Sequence, residues 1–277
     1  MPRISAVSLP LKHSYAREYA ASIAIAILMF LASIAGILYG EVFYPIDELS
    51  VGFVSTDLLN LAVGFPILLL SMWLTRRGHL VGLLCWPGAL LYVLYIYFSY
   101  LALPMRVLLI PHLLLIALSA YTTIAVMANI KSEKVRQRIS EVVPAKTTGY
   151  ILVVIAILVF AYQFYNIATS IINKAPPDRM TLVQWIDDLV IGCPAILGGG
   201  WLLLRRKELG YAAGMGLLLV CSLLFVGVIP AMIFNAISDN MPVDVIGILI
   251  VLVTGMICFI PFVLFVRGVA KTKPAEE

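Results

Sequence analysis

Charge is scarce in this chain. Asp, Glu, Lys and Arg make up 12% of its 277 residues, against about 25% in ordinary soluble domains. Histidine occurs three times and cysteine four times. Cys85, Cys193, Cys221 and Cys258 form no CxxC pair, and each lies inside an apolar run. A disulfide framework or a zinc site needs a different spacing, so these are expected to be small buried hydrophobes. No Walker loop, HExxH, GxSxG or EF-hand spacing is present. His13 lies in the tail, His79 near one face and His112 near the other, so no two can hold one haem in the membrane. No run of Lys and Arg is dense enough for a nucleic-acid face. The sequence therefore predicts no catalytic set, no cofactor, no metal site and no nucleic-acid partner.

Apolar residues are abundant instead. They make up 62% of the chain, and mean hydropathy is +1.03. A soluble core cannot hide that much apolar surface, because even large domains keep much of their surface in water. Lipid is the solvent such a composition suits. A spanning helix needs about 20 predominantly apolar residues. Eight segments qualify: 19–40, 56–75, 80–102, 107–130, 148–172, 182–204, 209–234 and 243–267. The first exceeds the apolar core of a secretory signal, about 7–15 residues, and is read as a retained span. Strands of a membrane barrel alternate polar with apolar residues. The run from Ile151 to Phe160 does not alternate. Helices satisfy their own backbone groups in lipid. The expected fold is all-α, a polytopic bundle of about eight transmembrane helices.

The few charges are sorted. With the N-terminus inside, the inner segments hold Arg3, Lys12, Arg17, Arg76, Arg77, Lys131, Lys134, Arg136, Arg138, Lys146, Arg205, Arg206, Lys207, Arg267, Lys271 and Lys273, sixteen in all. The outer segments keep three: Arg106, Lys174 and Arg179. Positive residues collect on the cytoplasmic side of short loops. Both termini are thus expected in the cytoplasm and the chain in the cell (plasma or inner) membrane. An odd number of spans would scramble this sorting. The inner segment from Lys131 to Thr148 is either a plain solvated linker or a short amphipathic helix drawn to anionic lipid. The first outer loop, Glu41 to Ser55, is acidic and expected to turn at Pro45.

The two halves resemble each other. Gly64-Phe65-Pro66 matches Gly192-Cys193-Pro194 at an offset of 128 residues, and Trp73 and Trp201 follow at equal distances. Arg76-Arg77 and Arg205-Arg206 close the two spans, with one extra residue in the second copy, and Gly78/Gly82 and Gly210/Gly214 open the next. Four spans per half make the second half enter from the same side as the first. The expected repeats are therefore parallel, about an axis along the membrane normal. Residues 1–130 form the first half with its tail, 131–147 a basic linker, and 148–277 the second half. Pro66 and Pro194 each remove a backbone bond and can kink their spans.

On these residues, Asp57 to Tyr100 and Gln184 to Ala231, the chain resembles a family of uncharacterised prokaryotic multi-pass membrane proteins with two similar four-span halves. The resemblance implies topology and a prokaryotic source but no activity. Span 7 carries only Tyr211 where span 3 is rich in tyrosine, which sets the halves apart.

Polar side chains within spans gather near the outer face: Asp57, Asn60, Tyr92, Tyr95, His112, Tyr162, Gln163, Asp187 and Asp188. No acid or base is expected at the bilayer centre, which argues against a proton pump or voltage sensor. Two readings fit the outer groups. In one, Asp57, Asp187 and Asp188 sit in first helical turns with Thr56 as a cap, and the tyrosines form an aromatic belt. In the other, spans 2 to 6 line an outward-facing pocket. There the acids attract a cation or amine, the tyrosines stack on it and His112 titrates. The second reading leads to a small-molecule or cation transporter or binder. The alternatives are a structural or assembly subunit with a membrane-protein partner and, less favoured, an enzyme at the outer face using Asp187, Asp188 and His112. In every case the lipid bilayer is the first partner.

The topology is directly testable. Single cysteines placed in the Arg76 turn and in the Arg205 turn should react with an impermeant thiol reagent from the same face. Labelling from opposite faces would overturn the eight-span scheme.

Overall fold

A computed structural model describes residues 9–44, 47–104, 109–238 and 242–272. The turn expected at Pro45, and Arg3, Arg106 and Lys273 of the charge count, lie outside the described residues. Among the described residues the fold is all-helical, with eight helices long and apolar enough to cross a membrane: Ala16–Leu38, Gly52–Arg76, Leu80–Ala102, Ile110–Asn129, Ala145–Ile172, Arg179–Leu204, Glu208–Pro230 and Val245–Ala270. These are spans 1 to 8. Among the described residues the one strand-like feature is an isolated bridge between Leu11 and Ile130. The four cysteines are free and buried.

Spans 1, 4 and 5 are each one continuous α-helix: α1 (Ala16–Leu38), α6 (Ile110–Asn129) and α8 (Ala145–Ile172). A short α2 (Gly40–Phe43) follows α1. Span 2 is compound. Helix α3 (Asp47–Leu59) widens into a π-helical turn, Asn60–Gly64, and resumes as α4 (Phe65–Arg76). Span 6 is built alike from α9 (Arg179–Asp187), the π turn Asp188–Gly192 and α10 (Cys193–Leu204). Proline explains both. Pro66 and Pro194 have no N–H, and each ring collides with the carbonyl four residues back in a regular helix. The wider turn spends one extra residue just before the proline. The Phe65 N–H then reaches the Asn60 carbonyl and the Cys193 N–H reaches the Asp188 carbonyl. The expected kinks are thus π turns, and each leaves a polar residue at its first position.

Spans 3 and 7 form the buried centre. Span 3 is α5 (Leu80–Phe98) with a 3-10 turn, Ser99–Ala102, and span 7 is the body of α11 (Glu208–Ser238). They cross at Gly88 and Gly216, where a Cβ added to Gly88 would overlap the Gly216 backbone. Small residues allow such an approach in lipid, where dispersion between closely packed surfaces replaces the hydrophobic drive. Span 1 runs parallel to span 3: Trp86 Nε1 donates to Ser22 Oγ at 3.0 Å, and eleven residues further along both helices Ser33 Oγ meets Tyr97 OH at 3.0 Å. Span 8 is α12 (Val245–Ala270), packed on α11.

Local geometry recurs at the 128-residue spacing. Arg77 lies over the Trp73 ring at 4.8 Å and Arg205 over the Trp201 ring at 4.7 Å. Gly78 and Arg206 both have positive φ, 80° and 52°. The His79 N–H bonds the Leu74 carbonyl at 2.9 Å, and the Lys207 N–H bonds Leu202 at 2.8 Å. The arginines in equivalent settings are therefore Arg77 and Arg205, each four residues after its tryptophan, and the extra residue expected in the second copy is not needed.

The basic segments lie at one end of the bundle. The tail is tied to the close of α6, with the Lys12 N–H on the Asn129 carbonyl and the Lys131 N–H on that of Pro10, both at 2.8 Å. The linker holds a short helix, α7 (Ser132–Ile139). Its apolar face rests on protein and not on lipid: Val135 and Ile139 are fully buried, and α7 packs on α11. Arg136 meets Glu208 at 3.5 Å, a half-exposed pair contributing at most about 1 kcal/mol.

The crossing of spans 3 and 7 leaves no room for growth. Gly88→Ala should lower stability in detergent by about 1–3 kcal/mol through overpacking. Gly198, with nothing within 4 Å of its added Cβ, should gain about 0.5–1 kcal/mol on replacement by Ala. Thermal unfolding of the two variants should move in opposite directions.

Candidate functional site

Asp57 is closed off. It is fully buried, with the Tyr100 hydroxyl donating to Oδ1 at 2.8 Å and the Tyr44 hydroxyl donating to Oδ2. Tyr44 arrives from the loop after α2 and closes over the end of span 2. Burial first, and then the adjoining Asp57 carboxylate, hold its phenol well above the usual tyrosine range, so it stays a donor. Gly36 on α1 creates the space, since a Cβ there would overlap both the Asp57 carboxylate and the Tyr44 hydroxyl. Aromatic rings pack around this core. Tyr97 stacks on Tyr100 at 5.1 Å, His112 stacks on Tyr100 at 4.5 Å, and Phe53 meets Tyr100 at 4.7 Å. His112 is 1% exposed and packs with this cluster.

Asp188 is the centre of a second cluster. The Tyr95 hydroxyl donates to Oδ1 at 2.6 Å, the Gln163 amide donates to Oδ2, and Asn166 Nδ2 donates to Gln163 Oε1 at 3.4 Å. Asn60, at the matching position of the other π turn, accepts from the Tyr92 hydroxyl at 3.3 Å. Tyr92 and Tyr95 are one turn apart on α5 and reach one π turn each. Gly64 and Gly192 let them in: a Cβ on Gly64 would lie 2.6 Å from the Tyr92 ring, and one on Gly192 would lie 3.1 Å from the Tyr95 ring.

Asp187 differs from both. It is 2% exposed, and its Oδ1 has no hydrogen-bond partner. It borders a cleft of about 450 Å³ between spans 2, 3, 6 and 7, at the end of the bundle away from the basic segments. Thr56, Tyr92, Tyr95, Ser99 and Gln184 supply the cleft's other polar groups. A second cleft of about 460 Å³ lies beside it against span 5, lined by Tyr162, Gln163, Asn166, Thr169 and Asn173. Gln184 borders both. Tyr162 stands at the rim and is 63% exposed.

The nine residues singled out in the sequence thus divide. Asp57 and His112 share one sealed cluster, Asn60 and Tyr92 form a pair beside the first cleft, Tyr95, Gln163 and Asp188 form a network between the clefts, and Tyr162 stands at the rim of the second. Of these nine, Asp187 alone has a buried carboxylate oxygen without a partner, a condition that Glu18 Oε2 on span 1 shares. One shared pocket lined by all of them is not what the structure contains. The helix-cap reading also changes. Asp57, Asp187 and Asp188 lie well inside helices that begin at Asp47 and Arg179, beyond the first turn where the dipole acts. Thr56 Oγ1 donates back to the Gly52 carbonyl at 2.8 Å and caps nothing. The cap of span 6 is Asp178, which accepts from the Thr181 N–H at 2.6 Å. That backbone bond holds its carboxyl below the usual range. Tyr44 and Gln184 were not singled out. Tyr44 carried no signal, because its role depends on a loop folding back over another span. Acid/base work by Asp187, Asp188 and His112 together finds no support, since His112 packs with Asp57.

Removing one donor from the sealed carboxylate should be felt as stability alone. Tyr100→Phe leaves Asp57 Oδ1 unsatisfied, a cost of about 1–3 kcal/mol, read as a lower unfolding midpoint in detergent. Unchanged stability would mean that water or another group replaces the hydroxyl. Compared with protein families, with individual proteins of known function and with solved structures, the chain matches none.

Proposed function

We propose that this chain is a multi-pass protein of the cell membrane that binds a small cationic molecule, and carries it or senses it, through the cleft beside Asp187. One observation carries the reading: a carboxylate oxygen buried at the end of a transmembrane bundle has no partner. An uncompensated carboxylate away from water is costly, and ionisable groups within spans mark sites of function by default. A bound cation supplies the missing counter-charge. The cleft lies between the spans that carry the two π turns, a place where backbone irregularity and polar groups coincide.

Topology frames the proposal. The positive-inside bias of the sixteen basic residues favours a cytoplasmic side for them and for both termini, and on that topology the cleft opens outward. The matched π turns, arginine–tryptophan pairs and positive-φ caps support two parallel four-span halves, with their axis passing near Gly88 and Gly216. Rocking of one half against the other about that crossing would open or close the cleft, as in other duplicated membrane carriers.

Purified protein in lipid nanodiscs should bind at least one cation from a panel of metal ions and organic amines by calorimetry. Asp187→Asn should weaken that binding about thirtyfold or more, the loss expected when one partner of a buried charge pair is removed. A folded protein that binds none of the panel, or an Asp187→Asn variant that binds unchanged, overturns the reading.

A further inference from the structure

Resting on that cation-binding reading, we infer that the ligand is an organic monocation, a primary ammonium carried on an aromatic or alkyl body, and not a metal ion. The hydrogen-bonding sense of the cleft points first. Each of its four hydroxyls directs its proton into the protein: Thr56 to the Gly52 carbonyl at 2.8 Å, Ser99 to the Ile96 carbonyl at 2.7 Å, Tyr92 to Asn60 at 3.3 Å and Tyr95 to Asp188 at 2.6 Å. Their remaining capacity is to accept, because a hydroxyl has one proton and two lone pairs. Acceptor oxygens and one open carboxylate suit a ligand that brings N–H donors. An ammonium brings three.

Charge count comes next. Asp188 is engaged by Tyr95 and Gln163, so among the described residues Asp187 is the one open carboxylate of the cleft. Among the described residues no three His, Cys, Asp or Glu side chains come close enough to hold an ion. Calcium takes about 6–8 oxygen ligands, and magnesium a near-ideal octahedron, usually with several waters. One carboxylate oxygen matches one positive charge.

Size and wall chemistry complete the case. The cleft holds about 450 Å³, inside the range of roughly 300–1,000 Å³ typical of small-molecule sites. Phe53, Leu59, Ile96 and Leu224 line it, a surface that welcomes an apolar body and gives a hydrated ion nothing. Tyr92 and Tyr95 border the cleft with Asp187, and aromatic rings attract organic cations. Gln184, shared with the amide-lined cleft against span 5, offers a polar route in from outside.

The test uses the full chain in nanodiscs, with phenethylamine, its neutral counterpart phenethyl alcohol, tetramethylammonium, sodium and calcium as probes in calorimetry. Phenethylamine should bind at least tenfold tighter than phenethyl alcohol and than either metal ion, and tetramethylammonium, lacking N–H donors, should bind more weakly. Val228→Trp, placed on the half-open wall of the cleft, should fill the space and weaken phenethylamine at least tenfold without touching the carboxylate. It also covers the case in which Asp187→Asn fails to fold. Binding of sodium or calcium in preference to the amine, lost in Asp187→Asn, overturns this inference and leaves the cation reading standing. Equal binding of the amine and the alcohol, or no binding of any cation, overturns both. Phenethylamine binding undiminished in Val228→Trp places the amine elsewhere and overturns the inference.

Discussion

Hydrocarbon offers no water to a stray backbone N–H or C=O, and the whole molecule is arranged around that constraint. The eight self-bonded helices among the described residues are the direct response. The two compound spans are the informative exception. Proline at positions 66 and 194 denies the helix one donor and crowds one carbonyl, and a π turn ahead of each absorbs the fault. Each π turn begins with a polar residue, Asn60 or Asp188, and each is met by a tyrosine from α5. A backbone problem in two outer helices thereby sets where the central helix puts its hydroxyls.

Three aspartates at similar depth end in three different states, and the reason is who else reaches them. Asp57 is met by a loop tyrosine from one side and a span 3 tyrosine from the other, with Gly36 removing the obstacle on span 1. Asp188 takes one hydroxyl and one amide from two neighbouring spans. Asp187, one residue earlier, is rotated by a helical step of about 100° into the cleft, where every hydroxyl already has another acceptor. A closed carboxylate fastens the bundle, whereas Asp187 keeps an oxygen without a partner.

The sequence was legible wherever the signal was local. Span count, helical class and the prolines of spans 2 and 6 could be read from run length and residue type, and the ends came within a few residues. Trp73 with Trp201 and Gly64 with Gly192 marked positions whose geometry does match. The misreadings were also local ones. Thr56 looked like a cap because the apolar run starts there, yet the helix begins earlier in a more polar stretch, at Asp47. The Lys131–Thr148 segment does hold the short helix that one reading gave it, and only its surroundings differ, because nothing in its own residues says that Val135 and Ile139 meet α11 and not lipid. His112 and Asp187 looked alike as outer polar groups, yet one is sealed among rings and the other borders a cavity.

By itself the sequence determined the medium and the elements, because the length of an apolar run and the backbone's need for internal bonds are properties of one segment at a time. Only the tertiary structure decided which carboxylate is closed and which is open. Those hydrogen-bond partners come from spans far apart in the chain, and whether Tyr95 meets Asp188 or Asp187 depends on the rotation of one packed helix against another.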